Sequence, residues 1–254
     1  MTETQQLQQD VENLKKQLGE SQRRSRVYLQ NVAHQLTAPL GAIKWNIEAL
    51  EDEVIPVHQK QKLLKSVRSQ ATILVHLIKN FALMSNLDAD EELGQLGNQI
   101  NVDLKRLAFD LAGDYRPQAD EVEKKIYVDA ESFDNILDDR KILVEKNLVA
   151  QALSNLLENA VKYADTQTTI RISAEKVGGI GVSVLSIGLP IQQGDKDKVF
   201  ERSFRGSEAK QKVAAGTGIG LYLAKRIMTL HQGDILLQCD RKQSRFTLVL
   251  KQAH

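Results

Sequence analysis

LQNVAHQLTAPLGAIKWNIEAL, residues 29–50, decides the architecture of the first part of this chain. Leu29, Val32, Leu36, Leu40, Ile43, Ile47 and Leu50 recur at helical spacing, and at ~100° per residue they lie within about 40° of a line through Leu36. One long amphipathic helix follows. His34 falls about 160° away from that stripe, so its ring is expected to face solvent. Pro39 removes the amide that would bond to the carbonyl of Gln35, so a bend is expected one turn past His34.

Upstream, Leu7, Val11, Leu14 and Leu18 alternate steps of four and three among Gln, Glu, Lys and Asn, the pattern of a short parallel coiled coil. Downstream, EDEVIPVHQK (51–60) ends the helix, and a second stripe begins: Leu63, Val67, Ala71, Leu74, Ile78 and Phe81. Two such helices make a hairpin. A hairpin cannot enclose a core alone, so pairing with a second copy into a four-helix bundle is expected.

DADEELGQLGNQ, residues 88–99, is polar and carries glycine, as a linker does. Beyond it the pattern predicts strands over 125–129, 168–176, 181–187, 234–238 and 245–250, and helices over 104–115, 146–163 and 219–230. Mostly hairpin-linked strands interleaved with helices predict a two-layer α/β sandwich.

The bulk properties exclude several classes. Of 254 residues, 34 are Lys or Arg and 33 are Asp or Glu, a net charge of +1, which gives no electrostatic reason for a nucleic-acid partner. The single Cys239 rules out an internal disulfide and a cysteine-based zinc site and suits a reducing compartment. No apolar run approaches the roughly 18 to 20 residues that cross a bilayer, and MTETQQLQQD is no signal peptide, so no membrane contact within this chain and a cytoplasmic location are expected. A membrane anchor elsewhere in a longer protein is compatible with both.

Three further stretches carry chemistry. NLLENAVKYA (155–164) puts Asn155, Asn159 and Lys162 on one helix face, opposite Leu156, Leu157, Ala160 and Val161. An asparagine oxygen can bind Mg²⁺ and a lysine can meet phosphate oxygens, although a solvated helix face is an equal reading of the spacing alone. GTGIGLYLAKRI (216–227) sets Gly216, Gly218 and Gly220 where a helix begins, which lets backbone amides approach an anion. It is no P-loop and no dinucleotide fingerprint. IGLPIQQGDKDKVFERSFRGSEAKQKVAAG (187–216) is long, charged and aperiodic, as a mobile lid is, and Arg202 and Arg205 within it are candidate phosphate clamps.

In this order and at these separations, NVAHQLTAPLGAI, NLLENAVKYA, VFERSFRG and GTGIGLYLAKRI resemble the histidine, asparagine, phenylalanine and second glycine boxes of the sensor histidine kinases. The resemblance implies a coiled coil over 1–24, a dimerisation and histidine-phosphotransfer hairpin over 25–88, a linker over 89–99 and a gyrase, Hsp90, kinase and MutL-type ATP-binding domain over 100–254. It implies ATP and Mg²⁺ as cofactors, His34 as phosphoacceptor with Gln35 beside it, and Asn159 as metal ligand with Asn155 close by. Lys162 and Tyr163 would flank the nucleotide, Phe200 would anchor the lid, and Gly216, Gly218 and Gly220 would border the phosphates. Its partners would be a second copy and the receiver domain of a response regulator.

Three departures accompany the resemblance. Gln35 stands where the family has an acid, and an amide cannot take the imidazole proton. Ala38 stands where Thr or Asn often positions water for dephosphorylating the regulator. SIGLPI (186–191) replaces the first glycine box: Ser186 takes the place of the aspartate that reads the adenine amino group, Gly188 is kept and Pro190 replaces a glycine. Weaker ATP binding is expected, and a pseudokinase scaffold that acts by docking partners is the alternative. An ATPase of the same superfamily would have glutamate where Asn155 sits.

Overall fold

The computed structural model describes residues 3–51, 55–89, 97–136, 141–212 and 217–251, with some side chains of the first helix and of residues 85–89 left undescribed. The first helix, α1 (Glu3–Leu50), runs without interruption through Pro39. Its second-half partner, α2 (Val57–Ala89), starts just after Pro56, whose carbonyl accepts from the amides of Gln59 and Lys60. The two pack as the expected hairpin, with Asn46 of α1 donating to Ser66 of α2. In the single chain Leu14 and Leu18 of the coiled-coil seam are about three-fifths exposed. Leu7 lies outside the described side chains. Leu29, Leu40 and Ile47 are also about half exposed, so part of the apolar stripe of α1 has no cover within one chain.

The second domain begins with β1 (Ile100–Asp103), α3 (Leu104–Glu121), β2 (Lys125–Val128), α4 (Ala130–Asp134) and β3 (Lys141–Val144). It continues with α5 (Lys146–Tyr163), β4 (Thr169–Lys176), β5 (Ile180–Ile187), α6 (Ser207–Lys212), α7 (Gly220–Leu230), β6 (Asp234–Asp240) and β7 (Gln243–Leu250). Five strands form one sheet in the order β2-β4-β5-β7-β6, antiparallel except for the β2–β4 pair, while β1 and β3 make a separate antiparallel ribbon. Alternation along β4 buries Ile170, Ile172 and Ala174 against helices α3, α5 and α7, which share the core with Leu107, Leu157 and Ile227. This is the two-layer α/β sandwich that the sequence predicts. Helix α5 starts where Glu145 caps it, its carboxylate accepting from the amides of Asn147 and Leu148 at 3.2 and 2.7 Å. The linker expected over 89–99 lies largely outside the described residues.

Helix α2 also packs on the sandwich, touching α3, α5 and α7. His76 lies against Tyr115 of α3, with ring centroids 5.4 Å apart. Met84 is fully buried in a cluster with Ile219, which precedes α7, and Leu223 of α7. Lys65 pairs with Asp120 at 3.5 Å, further toward the start of α2. Although His76 lies off the apolar stripe of α2, it is only 9% exposed, because the second domain covers it.

A nucleotide-shaped cleft closed by the hairpin

Helix α5, the end of β5, the lid segment and the start of α7 surround one large cleft. Its floor is Val184, Ser186, Ser244 and Phe246, with Ser186 and Ser244 opposite each other in the β5–β7 register. Gly188 sits at the rim, where a Cβ would lie 2.2 Å from the carbonyl oxygen of Tyr163, so no side chain fits between β5 and the end of α5. Asn155, Asn159 and Lys162 line the cleft from the one helix face on which their spacing puts them, and Tyr163 lines it beside them. Lys162 pairs with Glu158. Burial works against its ammonium, but the Glu158 charge and hydrogen bond outweigh that and hold the lysine above its ordinary pKa.

Opposite the floor, Gly218 and Gly220 bring the N-terminus of α7 to the cleft. Gly218 has φ +67° and lies so close to the Phe204 carbonyl that a Cβ would stand 2.5 Å from it, so glycine is required twice over. The exposed amides of the first turn of α7 give this end a positive potential. Gly216 lies outside the described residues.

The lid runs through two 3₁₀ turns, Gln193–Asp195 and Lys198–Phe200, and then α6. Phe200 stacks edge-on against Phe246 of the sheet, with centroids 6.2 Å apart, which ties the lid to the cleft floor. Lys212 at the end of α6 bonds the Tyr163 carbonyl at 3.0 Å and the Asp165 carboxylate at 3.1 Å. That hydrogen bond from Lys212, with a second from Lys242 at 3.2 Å, holds Asp165 below the usual carboxylate range. Arg205 lines the cleft and donates to the Ala209 carbonyl, whereas Arg202 is exposed and is not brought into the lining.

Hairpin residues complete the wall: Gln35, Leu77 and Asn80 face the cleft from α1 and α2. Gln35 is buried there, while His34 beside it is exposed and does not line the cleft. Of the other histidines, His58 is exposed and His254 lies outside the described residues. His231 is buried and satisfied, its Nδ1 2.8 Å from the Ile227 carbonyl and its Nε2 accepting from the Glu145 amide. Asn80 is a residue that helix periodicity could not single out.

A floor of two apolar side chains and two serines, a carboxamide-lined helix face and a glycine-bordered helix N-terminus suit a base at one end and phosphates at the other. With a helical hairpin carrying an exposed histidine, they define a protein of the ATP-dependent histidine-phosphotransfer class. Residues 24–90 match the His Kinase A (phospho-acceptor) domain, and residues 144–254 match the histidine kinase-, DNA gyrase B- and HSP90-like ATPase family. The chain is thus a histidine kinase catalytic core, and it belongs with the sensor histidine kinases. It is 29% identical over 211 residues to the sensor-like histidine kinase SenX3 of Mycobacterium bovis, covering 83% of this chain and 49% of the relative. It is 29% identical over 246 residues to the heme sensor protein HssS of Staphylococcus aureus, covering 96% of this chain and 50% of that protein. The chain thus spans about half the length of the curated relatives it matches. Its fold is shared with the histidine kinase AdeS of Acinetobacter baumannii, at TM-score 0.55 and 20% identity over 87% of this chain and 98% of that one. No helix among the described residues is long and apolar enough to cross a membrane.

Proposed function

We propose that this chain transfers the γ-phosphoryl group of ATP to His34 and then passes it to an aspartate on the receiver domain of a response regulator. The observation that carries the reading is the pairing of one cleft that suits a nucleotide with His34, exposed on the hairpin helix next to Gln35, which lines that cleft. In the first step an imidazole nitrogen of His34 forms a bond to phosphorus as the bond to the ADP oxygen breaks, and the ring loses its proton to water. Asn159, Lys162 and the first-turn amides of α7 would hold the triphosphate, while Ser186 on the floor would meet the base through a hydroxyl in place of a carboxylate. Gly188 and Tyr163 would pack beside the base, and Arg205 would act from the lid side. Mg²⁺, held through the Asn159 oxygen, would neutralise phosphate charge.

The partly uncovered stripe of α1 supports a homodimer in which a second copy completes a four-helix bundle. ATP use points to a cytoplasmic site of action. Purified chain incubated with radiolabelled ATP and Mg²⁺ tests the proposal. An acid-labile label that disappears in His34→Gln is expected. Equal labelling of His34→Gln moves the acceptor elsewhere, and an unlabelled wild-type chain that still docks a partner leaves the pseudokinase reading in place.

A further inference from the structure

Asn80 belongs to the hairpin, yet its carboxamide is bonded into the wall of the cleft. Its Nδ2 donates to Asn155 Oδ1 at 2.8 Å, and its Oδ1 accepts from Gln151 Nε2 at 2.7 Å. Three amides from two domains thus form one donor–acceptor chain: Gln151, Asn80, Asn155. Asn155 is 1% exposed, and its Nδ2 has no hydrogen-bond partner among the described residues. The first residue of α7 lies directly on that carboxamide, since a Cβ at Gly220 would stand 3.5 Å from Asn155 Cγ. A buried donor without an acceptor costs about 1–3 kcal/mol, so an acceptor in the cleft is wanted at this point.

We infer that Asn80 is a positioning residue for the nucleotide site: by occupying the Asn155 oxygen it turns the Asn155 amide nitrogen toward the anion end of the cleft, where a phosphate oxygen would accept from it. The inference rests on the cleft being a nucleotide site. It makes that site composite, built by the ATPase domain and finished by the hairpin. The sense of the chain matters, because a reversed chain would present an oxygen beside the amides of α7, where an anion needs donors. By linkage, whatever separates the hairpin from α5 also loosens the grip on phosphate, and phosphate binding favours the docked hairpin by the same factor.

The test is calorimetric titration of the whole chain with ATP and, as a probe without phosphates, with adenosine. In Asn80→Ala the ATP affinity is expected to fall about fivefold to tenfold, the scale of one lost neutral hydrogen bond, with adenosine affinity unchanged. Combining Asn80→Ala with Asn155→Ala should then cost no more than Asn155→Ala alone. Equal loss for ATP and adenosine would show a merely structural role and overturn the inference, as would an unchanged ATP affinity in a chain whose wild type binds ATP. A wild-type chain that binds no ATP removes the nucleotide reading itself, and this inference with it.

Discussion

His76 can be replaced by leucine to measure what a titratable ring does in the seam between the hairpin and the ATPase domain. Its ring is buried against Tyr115, and Nδ1 has no partner among the described residues. The charged groups facing it are Glu158 on α5, Asp114 on α3 and Lys79 on α2 itself. Burial lowers its pKa first; Glu158 and Asp114 pull upward, Lys79 pulls downward, and the outcome is a pKa below the ordinary value. The docked state therefore prefers the neutral ring. Above about pH 6.5 both states hold neutral His76 and docking carries no proton cost. Below that value the open state takes a proton first, so the docked state loses up to about 1.4 kcal/mol per pH unit until its own lowered pKa is reached. His76→Leu removes that slope. At neutral pH it also removes an unsatisfied nitrogen worth about 1–3 kcal/mol, against about 0.5–1.5 kcal/mol of ring contact with Tyr115, for a net gain of roughly 1 kcal/mol. Urea unfolding of wild type and variant at about pH 7.5 and about pH 5.5 measures both effects, with the stability gap widening in acid. A gap that stays constant with pH, or a variant less stable at neutral pH, refutes the reasoning.

Two further substitutions probe the cleft. Ser186→Asp puts a charged acceptor on the floor, and ATP affinity is expected to rise about tenfold or more while GTP affinity does not, measured side by side by calorimetry; equal changes for both nucleotides would mean that the base does not rest there. Asn159→Ala should lower ATP affinity at least about tenfold in the presence of Mg²⁺ but little in excess chelator, with an unchanged melting temperature, and a loss independent of metal would take Asn159 out of the metal site.

The parts of this molecule written locally were legible from the sequence. Helix α5 spans the predicted 146–163, because its periodicity and the Glu145 cap act within one segment. Asn155, Asn159 and Lys162 reach one cleft because a single stretch of helix, residues 155–162, fixes their relation. Strands β1 and β3 carry four residues each, too few for alternation to stand out, and α4 and α6 are similarly short. The burial of His76 and Gln35 was not legible, since it depends on a domain that contacts the hairpin from far along the chain. Asn80 and Asn155 are 75 residues apart, and no periodicity links them.

Helix α2 serves two neighbours with two kinds of surface. Leu74, Ile78 and Phe81 belong to its apolar stripe, and Ile78 is 51% exposed in the single chain. His76, Asn80 and Met84 follow at steps of four on another face and meet the ATPase domain. An apolar stripe regains little from water when it separates, whereas an amide chain exchanges its hydrogen bonds for water at a net cost of about 1 kcal/mol each. The amide chain is therefore the part of this seam that separates at low cost, while the buried Met84 cluster and the His76–Tyr115 contact hold it closed. On the proposed function such an opening follows from the geometry of α1, because Gln35 lines the cleft while His34, about 100° round the helix from it, does not. The proposed transfer would then need the ATPase domain either to move around its own hairpin or to meet the histidine of a second copy. On the proposed function, the first route would break the bond between Asn80 and Asn155 before transfer and let it form again afterwards, so the seam would couple a phosphorylation within one chain to one release and one return of the ATPase domain.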